Sequence, residues 1–245
     1  GGDQTVAMRA LRGTELEKAL AEAYQRGAVL GGTSAGCGLL ARNMLAGYQP
    51  NFAAETSLDF GSTDLWNTED LRGFSFGLPN AVLDQHFYQR SRPGRLITTI
   101  LRPDSPKIGI GVDAYTGVNI LDERLVQDVF GLYTVTIFDA ETYHADRLVS
   151  YHGAQNTLST RNLLVHLLSP GKFSYDLETR QHSLGAPAAA LERDFSFLRL
   201  PAGAGTLILG GDLRANLTTS PVLNRFKQLL EGRAGKVVII AAGYP

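Results

Sequence analysis

The most informative part of the sequence is residues 28–41, which read Ala28-Val29-Leu30-Gly31-Gly32-Thr33-Ser34-Ala35-Gly36-Cys37-Gly38-Leu39-Leu40-Ala41. The apolar residues 28–30 predict a short buried strand, and the small apolar residues from Cys37 onward predict the start of a helix. Between them lies a G-x-S-x-G motif. In a strand-turn-helix context this motif is typical of a nucleophile elbow, in which a sharp turn exposes the serine hydroxyl. The alternative is an ordinary glycine-rich turn, so the motif needs a base to support it.

The base candidate is His86, within a second polar stretch that reads Leu83-Asp84-Gln85-His86-Phe87-Tyr88-Gln89-Arg90-Ser91-Arg92-Pro93-Gly94-Arg95-Leu96. Apolar residues 81–83 predict the end of a strand, and residues that follow such strands lie at the carboxyl edge of the sheet, where ligands bind. That position suits a general base for Ser34. We expect solvated or structural roles for the other four histidines, which are His144, His152, His166 and His182.

Three arginines follow the histidine, at positions 90, 92 and 95. Guanidinium groups bind carboxylates in a planar, two-pronged geometry, so these arginines favour a pocket for an anionic group. The alternative is an exposed helix face. Pro93-Gly94 interrupts the run and is more typical of a turn, which favours the pocket.

Together, the segments GGDQ (1–4), GTSAG (32–36) and DQHF (84–87), followed by the arginines, resemble the cyanophycinase-like peptidases of family S51. The resemblance covers about residues 1–117. It implies serine peptidase activity, with Ser34 as nucleophile, His86 as general base, and the amides of Gly2 and Ala35 as oxyanion-hole donors. The substrate-binding residues that it implies are Gln4, Asp84, Gln85, Arg90, Arg92 and Arg95. Residues 107–113 are similar to the family's GIGID strand, but Ala114 stands where an acidic residue is usual.

The resemblance also implies an acidic residue between the serine and the histidine, because the histidine needs a carboxylate to fix its tautomer. Glu55 is the first choice by its distance after Ser34, and Asp59 is the second. The interval also contains Asp64, Glu69 and Asp70. The sequence leaves the choice open, and a solvated acidic loop is the alternative for each of them.

Composition narrows the class of protein. The chain has 245 residues, 44% of them hydrophobic, and a formal net charge of −1, so a sizeable core is expected and no strong field favours nucleic acid or an anionic membrane. No apolar run reaches the roughly 20 residues of a membrane span. The single cysteine, Cys37, permits no internal disulfide, and no Cys/His cluster has metal-ligand spacing. We therefore expect no metal and no cofactor. The sequence does not determine the cellular compartment, and a homodimer is possible.

The remaining patterns describe the organisation of the chain. Thr14-x-x-Glu17 predicts a capping box and a helix that ends near Gly27, with Leu16, Ala19, Leu20 and Ala23 on one face. Residues 107–112, 117–121 and 133–138 predict strands, and residues 160–168 predict a short helix. Three regions are expected: residues 1–183, the latter part of an S51-like domain; residues 184–205, a linker; and residues 206–245, a β-α-β unit with a helix at 221–230.

The β-α-β unit has two interpretations. It is either the start of a second S51-like unit in a tandem protein or the first strands of a permuted domain. In the family that the chain resembles, about three strand-helix units come before the GGDQ segment. The alternating units predict a three-layer α/β sandwich with a mostly parallel sheet, of the class I glutamine amidotransferase-like or flavodoxin-like type. The implied activity is hydrolysis of cyanophycin to β-Asp-Arg dipeptides. The alternatives are an Asp-specific dipeptidase of the same family and a non-catalytic ligand-binding module.

Overall fold

A computed structural model describes residues 2–183 and 221–231. The chain divides into two compact units, Gly1–Ala188 and Ala189–Pro245. The first unit contains all of the described elements except the last helix. The predicted linker and the two strands predicted within residues 206–245 lie outside the described residues.

The described elements are five α-helices and twelve strands, joined by turns and short 3₁₀ segments. The helices are α1 (Gln4–Leu11), α2 (Glu15–Gln25), α3 (Ala35–Leu39), α4 (Pro93–Ile100) and α5 (Pro221–Leu230). The strands are β1 (Met44–Tyr48), β2 (Thr63–Trp66), β3 (Val82–Gln85), β4 (Ile108–Val112), β5 (Thr116–Leu121), β6 (Leu125–Gly131), β7 (Val135–Asp139), β8 (Val149–His152), β9 (Thr157–Thr160), β10 (Leu164–Leu168), β11 (Gly171–Asp176) and β12 (His182–Ser183).

Two four-stranded sheets form the centre of the first unit. The central sheet has the order β10-β7-β4-β3 and the second sheet the order β12-β11-β6-β5, while β1-β2 and β8-β9 form two-stranded ribbons. Ile110 and Ile137 of the central sheet pack with Val126 and Tyr175 of the second sheet. On the other side of the central sheet, Val82 and Phe138 pack with Leu96 of α4. The unit is therefore a layered, mixed α/β structure, compatible with an α/β sandwich.

The prediction of a mostly parallel sheet is not confirmed, because the sheets are largely antiparallel. Among the described residues, the one parallel pair of named strands is β3 with β4, which α4 connects. A parallel pair needs such a long crossover, whereas short turns permit only antiparallel neighbours. The turn at Asp122–Arg124 between β5 and β6 is of this short type. The sequence patterns do not distinguish these two kinds of connection.

Two local predictions were wrong. Residues 28–30 do not form a buried strand: they lie outside every described strand, and the Val29 side chain is 96% exposed. An apolar tripeptide becomes a strand only when a neighbouring strand satisfies its backbone, and no described strand pairs with this one. Residues 160–168 form no helix but the end of β9 and all of β10, which pairs with β7. Here sheet pairing outweighs the weak helical pattern.

Other predictions are confirmed. Strands β4, β5 and β7 lie at the three predicted segments, β3 covers the apolar residues before His86, and α5 lies at residues 221–230. Helix α2 begins at the predicted cap, where the Thr14 hydroxyl accepts a hydrogen bond from the Glu17 amide at 3.3 Å. The predicted apolar face of α2 is only partly buried, however, since Leu16 is 55% exposed.

The buried residue of α2 is instead a charged one. Glu17 is 3% exposed and lies 2.6 Å from Arg72 in a buried ion pair, while its carboxylate also accepts hydrogen bonds from the amides of Gly13 and Ser75. Burial alone would raise the pKa of Glu17, but the Arg72 hydrogen bond and the two amides outweigh it and lower the pKa to about 2. The carboxylate thus connects α2 to the segment that precedes β3.

This depressed pKa predicts a specific acid sensitivity. The stabilising effect of ionised Glu17 is fully present above pH 4.5, and it is lost as the pH falls toward 2, by about 3 kcal/mol in total. We expect the gap in the free energy of unfolding between the wild type and Glu17→Gln to narrow across that window, measured by urea unfolding at a series of pH values. A gap that stays constant from pH 7 to pH 2 would contradict this account.

Candidate active site

The turn around Ser34 is sharp and strained. Ser34 has φ 55° and ψ −123°, and residues other than glycine rarely adopt a positive φ. Helix α3 begins at the next residue. A Cβ atom on Gly32 would lie 2.2 Å from the carbonyl oxygen of Gly36. The motif therefore forms a tight turn that presents the serine hydroxyl ahead of a helix, as a nucleophile elbow does.

His86 lies opposite this serine. Its Nε2 is 2.9 Å from Ser34 Oγ, although the two residues are 52 positions apart in the sequence. His86 follows β3 with a left-handed backbone, φ 47°, and the next side chain, Phe87, is fully buried. A Cβ on Gly111 would lie 2.5 Å from the Phe87 ring, so this glycine lets Phe87 anchor the turn.

The surroundings of His86 keep its ring neutral. Burial lowers the pKa of His86, the charges of Arg90 and Arg92 lower it further, and Asp84 opposes them. A neutral imidazole with its proton on Nδ1 leaves Nε2 free to accept the Ser34 proton. The pair therefore has the geometry that a nucleophile and its general base require, and the lowered pKa of His86 favours the unprotonated base.

No described carboxylate is hydrogen-bonded to the Nδ1 of His86. Glu55 lies in the 3₁₀ turn Ala54–Thr56, is exposed, and bonds to no other described residue through its side chain. The other acidic residues of the interval are engaged elsewhere: Asp59 with Thr157, Asp64 with Gln49 and Trp66, Glu69 with Arg42, and Asp70 with Arg12. Glu55 thus stays the candidate with a carboxylate available, and its role stays a prediction.

The three arginines have different environments. Arg95 binds the Asp84 carboxylate with two hydrogen bonds, from Nε at 2.7 Å and from Nη2 at 2.5 Å, and both side chains are buried. Arg92 donates to the carbonyl oxygen of Gln85 at 2.5 Å. Arg90 is exposed and forms no ion pair with another described residue. Of the predicted anion-binding set, Arg90 is therefore the one whose guanidinium faces solvent.

Two glutamines of the predicted binding set also differ. Gln4 is buried, and its amide nitrogen donates to the carbonyl oxygens of Leu45 and Ala46 at 3.0 and 3.1 Å. Gln85 is 7% exposed, and its Oε1 is buried without a hydrogen-bond partner among the described residues. Gln4 thus connects α1 to β1, whereas Gln85 retains an unused acceptor beside His86.

Comparison with known proteins gives several relatives of one kind. The chain is 31% identical over 194 residues to a cyanophycinase of Geminocystis herdmanii, covering 76% of this chain and 63% of that protein. It is 36% identical over 188 residues to a cyanophycinase of Synechococcus elongatus, covering 74% and 52%, and 33% identical over 175 residues to one of Trichormus variabilis, covering 70% and 53%. These relatives support a cyanophycinase-like (S51) family for the chain. It spans between about half and two thirds of the length of these relatives. No family model matches the chain.

In an S51 protein the oxyanion hole is expected at the amides of Gly2 and Ala35. Ala35 is the first residue of α3 and is 2% exposed, and the first amides of a helix have no partner within the helix. Gly2 is exposed, with φ 106°, and directly precedes the cap of α1. A Cβ on Gly38 of α3 would lie 3.9 Å from Gln4 of α1, so the two helices are in contact. The role of the two amides stays a prediction.

Sequence reasoning missed two residues near this S51-like site. Asp113 is buried at the end of β4 and accepts hydrogen bonds from the amides of Tyr88 and Thr134, so it holds the turn after His86. Its position at the carboxyl end of a predicted strand was an available signal. The ring of Tyr48 lies 5.2 Å from the Arg95 guanidinium, and its hydroxyl is buried without a described partner. A single tyrosine in a strand gives no signal of such a role.

Three further observations concern the thiol of Cys37, possible metal-ligand clusters and the length of the helices. Burial, with a smaller effect of Asp84, raises the pKa of Cys37 to about 12, so this thiol is protonated at neutral pH and is a poor nucleophile. The described ranges contain no group of three or more His, Cys, Asp or Glu side chains that could hold a metal ion. Within the same ranges, the helices are all too short or too polar to span a bilayer.

Two cavities, of about 260 and 330 Å³, lie away from Ser34. Both are lined by Pro79 and Asn80, which precede β3, whereas His86 follows the end of that strand. The cavities therefore belong to the opposite edge of the central sheet.

Proposed function

We propose that this chain is the catalytic part of a serine-type peptidase that hydrolyses cyanophycin, a poly-aspartate with arginine on each side chain, to β-Asp-Arg dipeptides. The observation that carries the proposal is the 2.9 Å contact between Ser34 Oγ and His86 Nε2 at a strained G-x-S-x-G turn. The cyanophycinases among its relatives support the choice of substrate.

In the proposed mechanism His86 Nε2 takes the hydroxyl proton of Ser34 as the oxygen attacks the carbonyl carbon of the scissile amide. The tetrahedral oxyanion is bound by the amides of Ala35 and Gly2. The His86 imidazolium then gives its proton to the leaving amine, which departs. Water, deprotonated by His86, attacks the resulting ester and releases the acid and Ser34.

The mechanism assigns Glu55 the role of the carboxylate that orients His86. Its side chain is not engaged with other described residues. Burial raises the pKa of Tyr48, and the negative charge of Glu55 adds a smaller effect in the same direction, so Glu55 lies on the same side of the domain as Tyr48 and Arg95. A carboxylate at Nδ1 would keep the proton on that nitrogen and stabilise the imidazolium.

Recognition of the substrate's carboxylates falls to Arg90. Arg95 and Arg92 are held by Asp84 and by the Gln85 carbonyl, whereas Arg90 is exposed and directly follows the His86 turn. A guanidinium in this position binds the free carboxylate of an arginine attached to the polymer beside the scissile bond.

This assignment predicts two effects of Arg90→Gln. Loss of the guanidinium raises KM for aspartyl peptides by about tenfold, because one charge-assisted hydrogen bond is lost at an exposed position. Arg90 also lowers the pKa of His86, so its removal raises that pKa. Since the base acts unprotonated, the acid limb of the kcat/KM profile moves to higher pH.

The matched control is Arg26→Gln, which removes an exposed arginine at the end of α2 whose partner is Glu22. We expect its KM and its pH profile to equal those of the wild type. If Arg90→Gln behaves as this control does, Arg90 binds no substrate carboxylate.

The test of the proposed function is incubation of the purified protein with insoluble cyanophycin, with soluble products identified by mass spectrometry. Release of Asp-Arg dipeptides supports the proposal. Cleavage of short Asp-X peptides without release from the polymer would instead identify an Asp-specific dipeptidase. No cleavage of either substrate, by a protein that is folded and binds the polymer, would identify a non-catalytic binding module and refute the proposal.

A further inference from the structure

One buried ion pair joins the end of β3 to the start of α4, and its two residues flank the His86 turn. Asp84 is in β3 and Arg95 is in the first turn of α4, and their side chains are 2% and 4% exposed. The two hydrogen bonds between them are 2.7 and 2.5 Å long. Asp84 Oδ1 also accepts the Gln85 amide at 2.8 Å. Both charged groups are therefore used within the protein and face no solvent from which a substrate could reach them.

Arg92 fixes the same turn from the other direction. Its Nη1 donates to the carbonyl oxygen of Gln85, the residue before His86, and its backbone amide donates to the carbonyl oxygen of Phe87, the residue after it, at 3.0 Å. The amide of Arg90 donates to the carbonyl oxygen of His86 itself at 3.1 Å. Three consecutive carbonyl groups around His86 are thus held by the segment that leads into α4.

This turn needs such support because its backbone is strained. His86 and Ser91 both have left-handed backbones, with φ 47° and 52°. A non-glycine residue is disfavoured in this region and persists only where the surrounding contacts fix it. Without those contacts the turn would relax to an ordinary conformation, and the imidazole would move away from Ser34 Oγ.

We propose that the buried Asp84–Arg95 ion pair, together with Arg92, positions His86 for reaction with Ser34 and makes no contact with the substrate. The expected effect on reaction rates rests on the proposed function, whereas the expected effect on the position of the His86 ring does not. This assignment separates two of the three arginines from substrate recognition and makes them positioning residues. A displacement of about 1 Å at a catalytic base costs about 100-fold in rate, so the effect on chemistry is large.

The test uses Arg95→Lys, which keeps the positive charge but loses the two-pronged geometry. The first readout is the rate at which a small neutral fluorophosphonate labels Ser34, because this probe carries no carboxylate or guanidinium for a substrate pocket to recognise. We expect labelling to be about 100-fold slower than in the wild type. With aspartyl peptides kcat falls to the same extent, while KM changes little.

The second readout is the NMR titration of His86, which does not require activity. In the wild type burial and the charges of Arg90 and Arg92 hold the pKa of His86 below its ordinary value, against the opposing charge of Asp84. Release of the ring from its position moves the pKa up toward that ordinary value in Arg95→Lys, although the charge at position 95 is unchanged.

The matched control is Arg72→Lys, which breaks the two-pronged geometry of the other buried pair, with Glu17, away from His86. It lowers the stability of the fold, but labelling and the His86 titration keep their wild-type values. Where Arg95→Lys fails to fold, Arg92→Met removes the bond to the Gln85 carbonyl and the 3.6 Å contact with Asp84, but leaves the Asp84–Arg95 pair in place. This variant is expected to slow labelling, and only labelling is read, because loss of the Arg92 charge by itself raises the pKa of His86.

The outcomes separate this inference from the proposed function. A wild-type protein that is never labelled refutes the serine mechanism, and the His86 titration then still decides whether the ion pair positions the ring. If folded Arg95→Lys is labelled at the wild-type rate and its His86 pKa is unchanged, the positioning role is overturned. A large rise in KM with kcat unchanged would overturn it as well, since that is the signature of a substrate contact.

Discussion

Ser34→Ala is expected to lower the rate of amide hydrolysis by several orders of magnitude, with little change in stability. In the proposed mechanism the hydroxyl is the attacking group. Its one described side-chain contact is with His86 Nε2, so its removal costs the protein no other interaction. Alanine also lacks the oxygen that a fluorophosphonate would modify. The measurement is the initial rate of Asp-Arg release from cyanophycin, beside fluorophosphonate labelling of the same preparations.

His86→Gln is the companion variant. Because serine and histidine act as a unit, the double variant should be about as slow as either single one. Cys37→Ser is the control, since this thiol is held protonated and has no place in the mechanism. An Ser34→Ala protein that retains wild-type hydrolysis would show that the nucleophile is elsewhere.

Gly32→Ala is expected to disrupt the elbow itself. The new Cβ would lie 2.2 Å from the carbonyl oxygen of Gly36, 2.4 Å from its carbon and 2.8 Å from the amide nitrogen of Cys37. These are backbone atoms of α3, so the clash cannot be relieved by a change of rotamer. The turn or the helix has to move, which costs about 1–3 kcal/mol of stability and displaces Ser34 from His86. We expect a lower urea midpoint and a loss of activity of about 100-fold.

The other glycine of the motif provides the matched control. A Cβ on Gly36 would meet no atom within 4 Å, and this residue lies in α3 without a positive φ. Gly36→Ala should therefore keep or slightly raise the stability, because alanine is the better helix former. A similar loss of stability in both variants would show that the motif requires its glycines for a reason other than the clash at position 32.

Local pattern was sufficient for the motifs and for several elements. The Thr14 cap, the strand before His86 and helix 221–230 depend on neighbouring residues, so their patterns predict them correctly. The pairing of Ser34 with His86 was also anticipated, through the motif and the resemblance. A carboxylate partner for His86 was not found among the described contacts, and Glu55 stays a prediction.

Sheet geometry was less accessible to local pattern. Residues 28–30 have the composition of a strand but no described partner. Residues 160–168 have a weak helical pattern, but they form the end of β9 and all of β10. Strand pairing joins residues far apart in the sequence, such as β7 with β10, so its outcome depends on contacts that no short window contains.

The sequence alone predicts the nucleophile, the base and the family resemblance, because each depends on residue types at fixed short spacings. The sequence does not distinguish the roles of the three arginines that follow the histidine. The fold gives them different environments: Arg95 meets Asp84 in a buried pair, Arg92 binds the Gln85 carbonyl, and Arg90 stays exposed. The reason is physical, since a buried guanidinium must be paired while an exposed one need not be. Burial is a property of the packed helix and sheet, and the spacing of charges along the chain does not contain it.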